Sequence, residues 1–185
     1  DGVDWTYYGG DFGFTDPTTL VEVSAKGNRL YCRVHLYESG LTNLQIAHRI
    51  KNNRYVNQDI IQVWDSAEPK SIIELRQNDI QAVKAIKGAH SIYFGIQKLQ
   101  QYEIYVYDDF LGSKLIHELE NLRYVVDSNG DIVTDTKGYP KLVPGGDHCV
   151  DCLRMVLNKF NFTIEEQEDD EELEDSTQGT DKTVS

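Results

Sequence analysis

Three short stretches hold the residues of this 185-residue chain whose types and spacing could do chemistry. In Tyr8-Gly9-Gly10-Asp11-Phe12-Gly13-Phe14 an aspartate stands between glycines and aromatics, just ahead of the β-rich run Thr18-Thr19-Leu20-Val21-Glu22-Val23. That reads as a carboxylate on the first strand of a sheet, with glycines that let a ligand or metal approach the backbone closely. In Val63-Trp64-Asp65-Ser66-Ala67-Glu68-Pro69-Lys70 an apolar run hands directly to Asp65, and in Gly145-Gly146-Asp147-His148-Cys149-Val150-Asp151-Cys152-Leu153-Arg154 two acids flank a histidine. Each acid also has an ordinary role: a turn beside glycine for Asp11, a turn or helix cap for Asp65, an N-cap for Asp147. Asp151 is harder to dismiss, since a carboxylate inside the first turns of a helix beside a histidine suits a metal better than a cap. Taken together the stretches suggest three carboxylates converging from two strand positions and one helix.

The elements that must position them follow in chain order. Asp1 to Tyr8 is an approach segment, and the first strand carries Asp11. Leu20–Val23 and Leu30–Tyr37 are the next strands, joined by a turn at Lys26-Gly27-Asn28. In the latter, Leu30, Cys32, Val34 and Leu36 alternate with Tyr31, Arg33, His35 and Tyr37, the period-two pattern of a half-buried strand. Thr42 to Lys51 is helical, with Leu41, Leu44, Ala47 and Ile50 at helical spacing and Thr42 or Asn43 as cap. Asp59–Trp64 is a buried strand that places Asp65 at its carboxyl end, where open α/β sheets bind ligands, and Pro69 suits the first turn of the next helix. Ala82–Ile86 is a short strand or a loop, Ser91–Gln101 a helix, Tyr102–Tyr107 an edge strand and Lys114–Asn121 a helix. Arg123–Val126 and Ile132–Thr134 flank Asn129-Gly130, a strong hairpin signal.

The last helix runs from about Asp147 to Phe160. Stepping roughly 100° per residue from Asp147 brings Asp151, Arg154 and Asn158 within about 40° of it, with His148 about 100° away. Cys149, Cys152, Leu153, Val156, Leu157 and Phe160 fall on the opposite, core side. This phase disfavours a zinc site shared by His148, Cys149 and Cys152, and a structural zinc normally needs four ligands in any case. Asp127, Asn129 and Asp131 imitate a calcium loop, but threonine stands at 136 where the loop needs glutamate.

Length and composition fit one domain, residues 1–162, followed by a disordered acidic tail, 163–185. The formal net charge of −13 at first sight opposes a polyanionic partner. Residues 165–175 alone hold nine acids and no base; with Asp181 and Lys182 also set aside, residues 1–164 carry 21 acids and 17 bases, a net of −4. Two divalent cations on three or four of those acids would bring the body close to neutral. Three cysteines and no secretion signal argue against a disulfide framework, and no apolar run of about 18 residues predicts a membrane span. The expectation is a soluble cytosolic chain. A start at Asp1, without methionine and on the lead-in to a strand, suggests a piece of a longer protein.

The order strand, strand, strand, helix, strand, helix, with acids on the first and fourth strands and on a late helix, is that of an α/β ribonuclease H-like fold: a central mixed β-sheet flanked by helices, here with an added β-hairpin. Gly10-Asp11-Phe12-Gly13 with Asp16-Pro17-Thr18, then Asp65 to Ile72, then Asp147 to Arg154, resemble the nuclease domain of the large terminase subunit of tailed bacteriophages over about residues 3–158. The resemblance implies a metal-dependent endonuclease that cuts concatemeric viral double-stranded DNA, acting in the host cell cytoplasm beside an ATPase motor, with small terminase subunit and portal as partners of the full-length protein. No G-x-x-x-x-G-K-[ST] pattern of such a motor occurs in these residues. It further implies that Asp11, Asp65 and Asp151 bind metal and that His148 accompanies the third acid. By hypothesis two Mn²⁺ or Mg²⁺ ions are held, Asp11 bridging both, Asp65 and Asp151 holding one each, His148 adding a ligand or orienting a water. Lys84, Lys87, Lys98, Arg123, Lys137 and Lys141 are the bases available for DNA, and the 127–141 hairpin is a candidate mobile element. Two other readings remain open: Asp11-Phe12-Gly13-Phe14-Thr15 also resembles the phosphate loop of actin and sugar-kinase ATPases, and the fold could serve as a non-catalytic packaging module.

Overall fold

Alternation and turn chemistry build the first half of the sheet. β1 (Trp5–Asp11), β2 (Thr18–Lys26) and β3 (Arg29–Glu38) form an antiparallel meander in a computed structural model that describes residues 2–88 and 90–160. The acidic segment expected as a tail lies outside the described residues. The β2–β3 turn is the expected one: Gly27 takes a φ of 57° and donates its amide to Asp4 Oδ2 at 2.8 Å. β4 (Gln62–Trp64) pairs parallel with β1, β5 (Ala82–Lys84) parallel with β4, and β6 (Glu103–Val106) parallel with β3. The strand order β5-β4-β1-β2-β3-β6 makes one mixed six-stranded sheet, with β6 at the edge as expected.

Helices pack on both faces, leaving Tyr31 of β3 and its stacked neighbour Tyr105 of β6 exposed. α1 (Asn43–Asn52) and α2 (Pro69–Gln77) bury Ile46, Ile50, Ile72 and Leu75 against Tyr8, Leu20, Leu36 and Trp64. α3 (Ser91–Leu99), α4 (Gly112–Asn121) and α5 (His148–Phe160) pack Ile96, Leu115, Leu153 and Val156 on Val21, Val23, Cys32 and Val34. Thr42 opens α1 in a capping box: its Oγ1 accepts from the Gln45 amide (3.3 Å) while Gln45 Oε1 accepts from the Thr42 amide (2.9 Å).

Two expected patterns are corrected. Leu36 does not share a face with Leu30, Cys32 and Val34, because the β2–β3 register passes from Leu20↔Leu36 to Val21↔Val34 and skips His35; this bulge turns Leu36 into the α1/α2 core. Leu44 is 66% exposed: the inward face of α1 runs through Ile46, Ala47 and Ile50, and Leu44 lies off that stripe.

The pair Gly9-Gly10 acts differently from the sequence expectation. A Cβ on Gly9 would lie 2.2 Å from the carbonyl oxygen of Cys152 in α5, and one on Gly10 would lie 2.4 Å from the Trp64 ring. The glycines therefore admit the protein's own helix on one face of β1 and its own tryptophan on the other. Gly9→Ala is expected to cost roughly 3 kcal/mol of stability or more, seen as a fall in thermal midpoint, whereas Gly88→Ala, whose added Cβ meets nothing, is expected to melt with the wild type. Equal melting of the two variants would refute the close-approach account.

Candidate metal centre

Asp11 ends β1 and Asp65 follows β4 directly, and the amide of Asp65 donates to the Gly10 carbonyl at 3.2 Å, so the parallel ladder delivers both acids at the carboxyl end of two adjacent inner strands. α5 crosses β1 and β2 with His148 and Asp151 in its first turn. His148 Nδ1 lies 3.1 Å from Asp11 Oδ2. Asp151 Oδ1 accepts from Arg154 Nε at 2.7 Å, one helical turn on. Asp65 Oδ1 accepts from the Ala67 amide (3.0 Å) and from Lys87 Nζ (2.5 Å), the latter on the loop that leaves β5. Each of the three acids thus has its own basic partner.

The electrostatics explain why. Burial pushes the Asp11 carboxyl up to about 6, and the neighbouring charges of Asp151 and Asp65 push the same way against the His148 hydrogen bond. Asp147 is raised as well, by burial first and Asp151 next. Among the described residues no three histidine, cysteine, aspartate or glutamate side chains already converge as a preformed metal cage. The donor set nevertheless fits a hard dication: carboxylate oxygens gathered at the carboxyl ends of adjacent strands and the start of α5, mutually repelling, with the like charges of Asp151 and Asp65 raising Asp11.

The start of α5 is fastened from two other elements. Thr19, opposite Asp11 in the β1–β2 register, donates from Oγ1 to the His148 carbonyl at 3.3 Å and lies 3.1 Å from Cys152 Sγ. Glu118 of α4, 4% exposed, accepts on Oε2 from the amides of Cys149 (2.7 Å) and Val150 (3.1 Å). The capping duty that the sequence suggests for Asp147 is therefore carried across the fold by Glu118. Its other oxygen is buried without a partner, and burial raises its carboxyl to about 7 against the two amide bonds. Cys149 and Cys152 are fully buried on the core side of α5, with burial raising both thiols.

Residues 123–143 form a tighter unit than one hairpin. The amide of Val125 donates to Lys141, that of Lys141 to Val133, and that of Val133 to Val125, closing a triangle of backbone bonds at a spacing of eight. The eight-residue period also recurs in the turns. Asp127 Oδ1 accepts from the amides of Asn129 and Asp131, Asp135 Oδ1 from those of Lys137 and Tyr139, and Gly130 and Gly138 take φ of 88° and 87°. Asp127 is thereby a turn residue in this unit. His90, at a φ of 64°, stacks on Tyr139 with ring centroids 3.7 Å apart and places Nδ1 3.6 Å from Asp135 Oδ2. The unit is thus pinned to the start of α3, beside the loop that carries Lys87.

Sequence reasoning placed Asp11, Asp65, His148 and Asp151, and the structure brings Asp11 and His148 into contact with Asp65 and Asp151 as charged neighbours. It missed Glu118 and the pairing of Lys87 with Asp65. Glu118 carried a signal: it sits in phase with Leu115, Leu119 and Leu122 on the apolar face of α4. Lys87 carried none, since its partner is set by the β4–β5 pairing.

A family model described as terminase RNAseH like domain matches residues 11–159. The large terminase subunit of Bacillus phage SPP1 is 29% identical over 154 residues, 80% of this chain and 35% of that protein. The PBSX phage terminase large subunit of Bacillus subtilis strain 168 is 31% identical over 130 residues, 69% of this chain and 29% of that protein. The chain thus spans about a third of the length of these relatives. The crystal structure of the SPP1 large terminase nuclease domain with bound Mn superposes with a TM-score of 0.69 at 25% identity, over 85% of this chain and 87% of that one.

Asp11 and Glu118, the carboxyls raised furthest, set a pH dependence. Both are raised above their unfolded values, so the stability they contribute is complete below the unfolded pKa and is lost as pH rises through about 6 for Asp11 and about 7 for Glu118. In EDTA the thermal midpoint is therefore expected to fall between pH 5 and pH 8, by an amount equivalent to roughly 1 kcal/mol for Asp11 and roughly 2 kcal/mol for Glu118. Glu118→Gln should remove the upper part of that fall, and a midpoint that instead rises over this interval would contradict the assignment.

Proposed function

The chain belongs to the family of terminase RNase H-like domains, and from that premise and its three acids we propose that it is a divalent-metal-dependent endonuclease. Its substrate is concatemeric double-stranded viral DNA, cut with little sequence preference during phage genome packaging. The observation that carries the reading is the Asp11–His148 contact, with Asp151 and Asp65 as the next charges. Asp11, Asp65 and Asp151 hold two ions, Mn²⁺ or Mg²⁺, and His148 adds a ligand or orients a water; the bound Mn of the SPP1 nuclease domain supports this choice of metal. Such ions make a water more acidic and stabilise the departing oxyanion.

The chain's own part is placement. Thr19 and Glu118 hold the first turn of α5 so that His148 and Asp151 face β1, and the Ala67 amide fixes Asp65 Oδ1. Lysines and arginines contact the phosphate backbone, which positions DNA without reading it. Residues 1–162 form the nuclease and 163–185 its acidic appendage. In the full-length protein, at work in the host cell cytoplasm, the small terminase subunit and the portal are the partners. No helix among the described residues is long and apolar enough to cross a membrane.

Supercoiled plasmid incubated with the purified chain in Mn²⁺ or Mg²⁺ is expected to be nicked and linearised, and to survive in EDTA. Asp11→Asn should abolish cleavage while the protein remains folded; a folded Asp11→Asn protein with full activity would sink the reading. Shortening residues 127–141 should change the cleavage rate, and an unchanged rate would remove that unit from the mechanism.

A further inference from the structure

The three acid–base pairs at the site are not equivalent. Arg154 is held within α5 beside its acid, its side chain 12% exposed, and packs where Gly95 of α3 closes on it. His148 is 19% exposed and belongs to the first turn of the same helix. Lys87 is 52% exposed, lies on the loop after β5, and reaches Asp65 only because β5 runs parallel to β4, with the Ala85 amide donating to the Trp64 carbonyl at 2.8 Å. Of the three bases it can leave its acid at least cost to the fold. Asp65 Oδ1 already takes the Ala67 amide, so any further cation on that oxygen competes with the Lys87 ammonium.

We propose that Lys87 is the resident counter-ion of Asp65, that a divalent ion taking up the Asp65 charge releases it, and that the released ammonium then takes a phosphate oxygen of the DNA. The inference rests on the metal-dependent reading above and adds a positioning residue to it. Its logic is charge conservation at the carboxyl end of β4: once a dication satisfies Asp65, the lysine beside it has lost its anion, and a backbone phosphate is the anion that arrives. Lys87 would thus make phosphate contact conditional on metal.

Calorimetric titration of Mn²⁺ into wild type, Lys87→Met, Lys87→Arg and Asp65→Asn tests the first half. Lys87→Met is expected to bind Mn²⁺ about fivefold tighter, the scale of an exposed ion pair, and Lys87→Arg to bind as wild type. The second half is read by stopped-flow anisotropy of a labelled duplex, before cleavage, across a salt series. In Mn²⁺ the Lys87→Met protein should lose roughly 0.9 from the slope of log affinity against log salt, one phosphate contact, and in EDTA it should match wild type. Mn²⁺ affinity that is unchanged or weaker in Lys87→Met, or a salt slope that ignores the substitution in Mn²⁺, overturns the inference while leaving metal-dependent cleavage intact. Wild type that takes up no Mn²⁺ overturns the metal reading itself and the inference with it, whereas Mn²⁺ affinity unchanged in Asp65→Asn overturns the inference alone.

Discussion

The structure depends on a contact that a single methyl group would forbid. α5 approaches β1 so closely at Gly9 that the Cys152 carbonyl occupies the place of a side chain, and on the reverse face Trp64 lies against Gly10. A strand bare on both faces at the two positions before Asp11 lets the helix settle deep enough for His148 to reach the Asp11 carboxylate. Thr19 fastens the same turn from β2 and Glu118 from α4, so two elements besides β1 agree on where α5 begins. Trp64 in turn supports Phe12, stacked on it at 4.4 Å, and with it the chain leaving Asp11.

This placement carries an electrostatic cost that the fold does not hide. Asp11 is crowded by like charge and by burial, and Glu118 is buried with one oxygen unpartnered. Neither is a choice that stability alone would make, since a buried carboxylate gains little where a neutral residue would pack. The bases His148, Lys87 and Arg154 offset the cost one acid at a time. Strain of this kind concentrates where a protein must meet a charged ligand.

Much of this was legible in the sequence, for identifiable reasons. Period-two alternation and Lys26-Gly27-Asn28 located β2 and β3; Thr42 and Pro69 located two helix starts; the phase of residues 147–160 separated the acids from the cysteines. Asp11 and Asp65 stood out because each stands at the end of a strand, and Asp151 because it lies within the first turn of a helix beside His148. What stayed hidden depends on pairing between distant segments. The skipped His35 that turns Leu36 over is a property of two strands in register, and the glycines read as room for a ligand were room for α5 and Trp64. Glu118 as the cap of a helix 30 residues away, and the three-way bonding of residues 125, 133 and 141, need the folded chain to be seen.

The Asp11–His148 contact joins residues 137 positions apart. On a ribosome that separation is time: β1 to β3 can pair early, but the helix that completes the acid constellation is among the last described segments to be made. A chain cut short before residue 148 holds Asp11 and Asp65 and lacks both His148 and Asp151. A ribosome-bound chain of that length therefore has its antiparallel meander but not the helix that supplies the histidine partner of the Asp11 carboxyl.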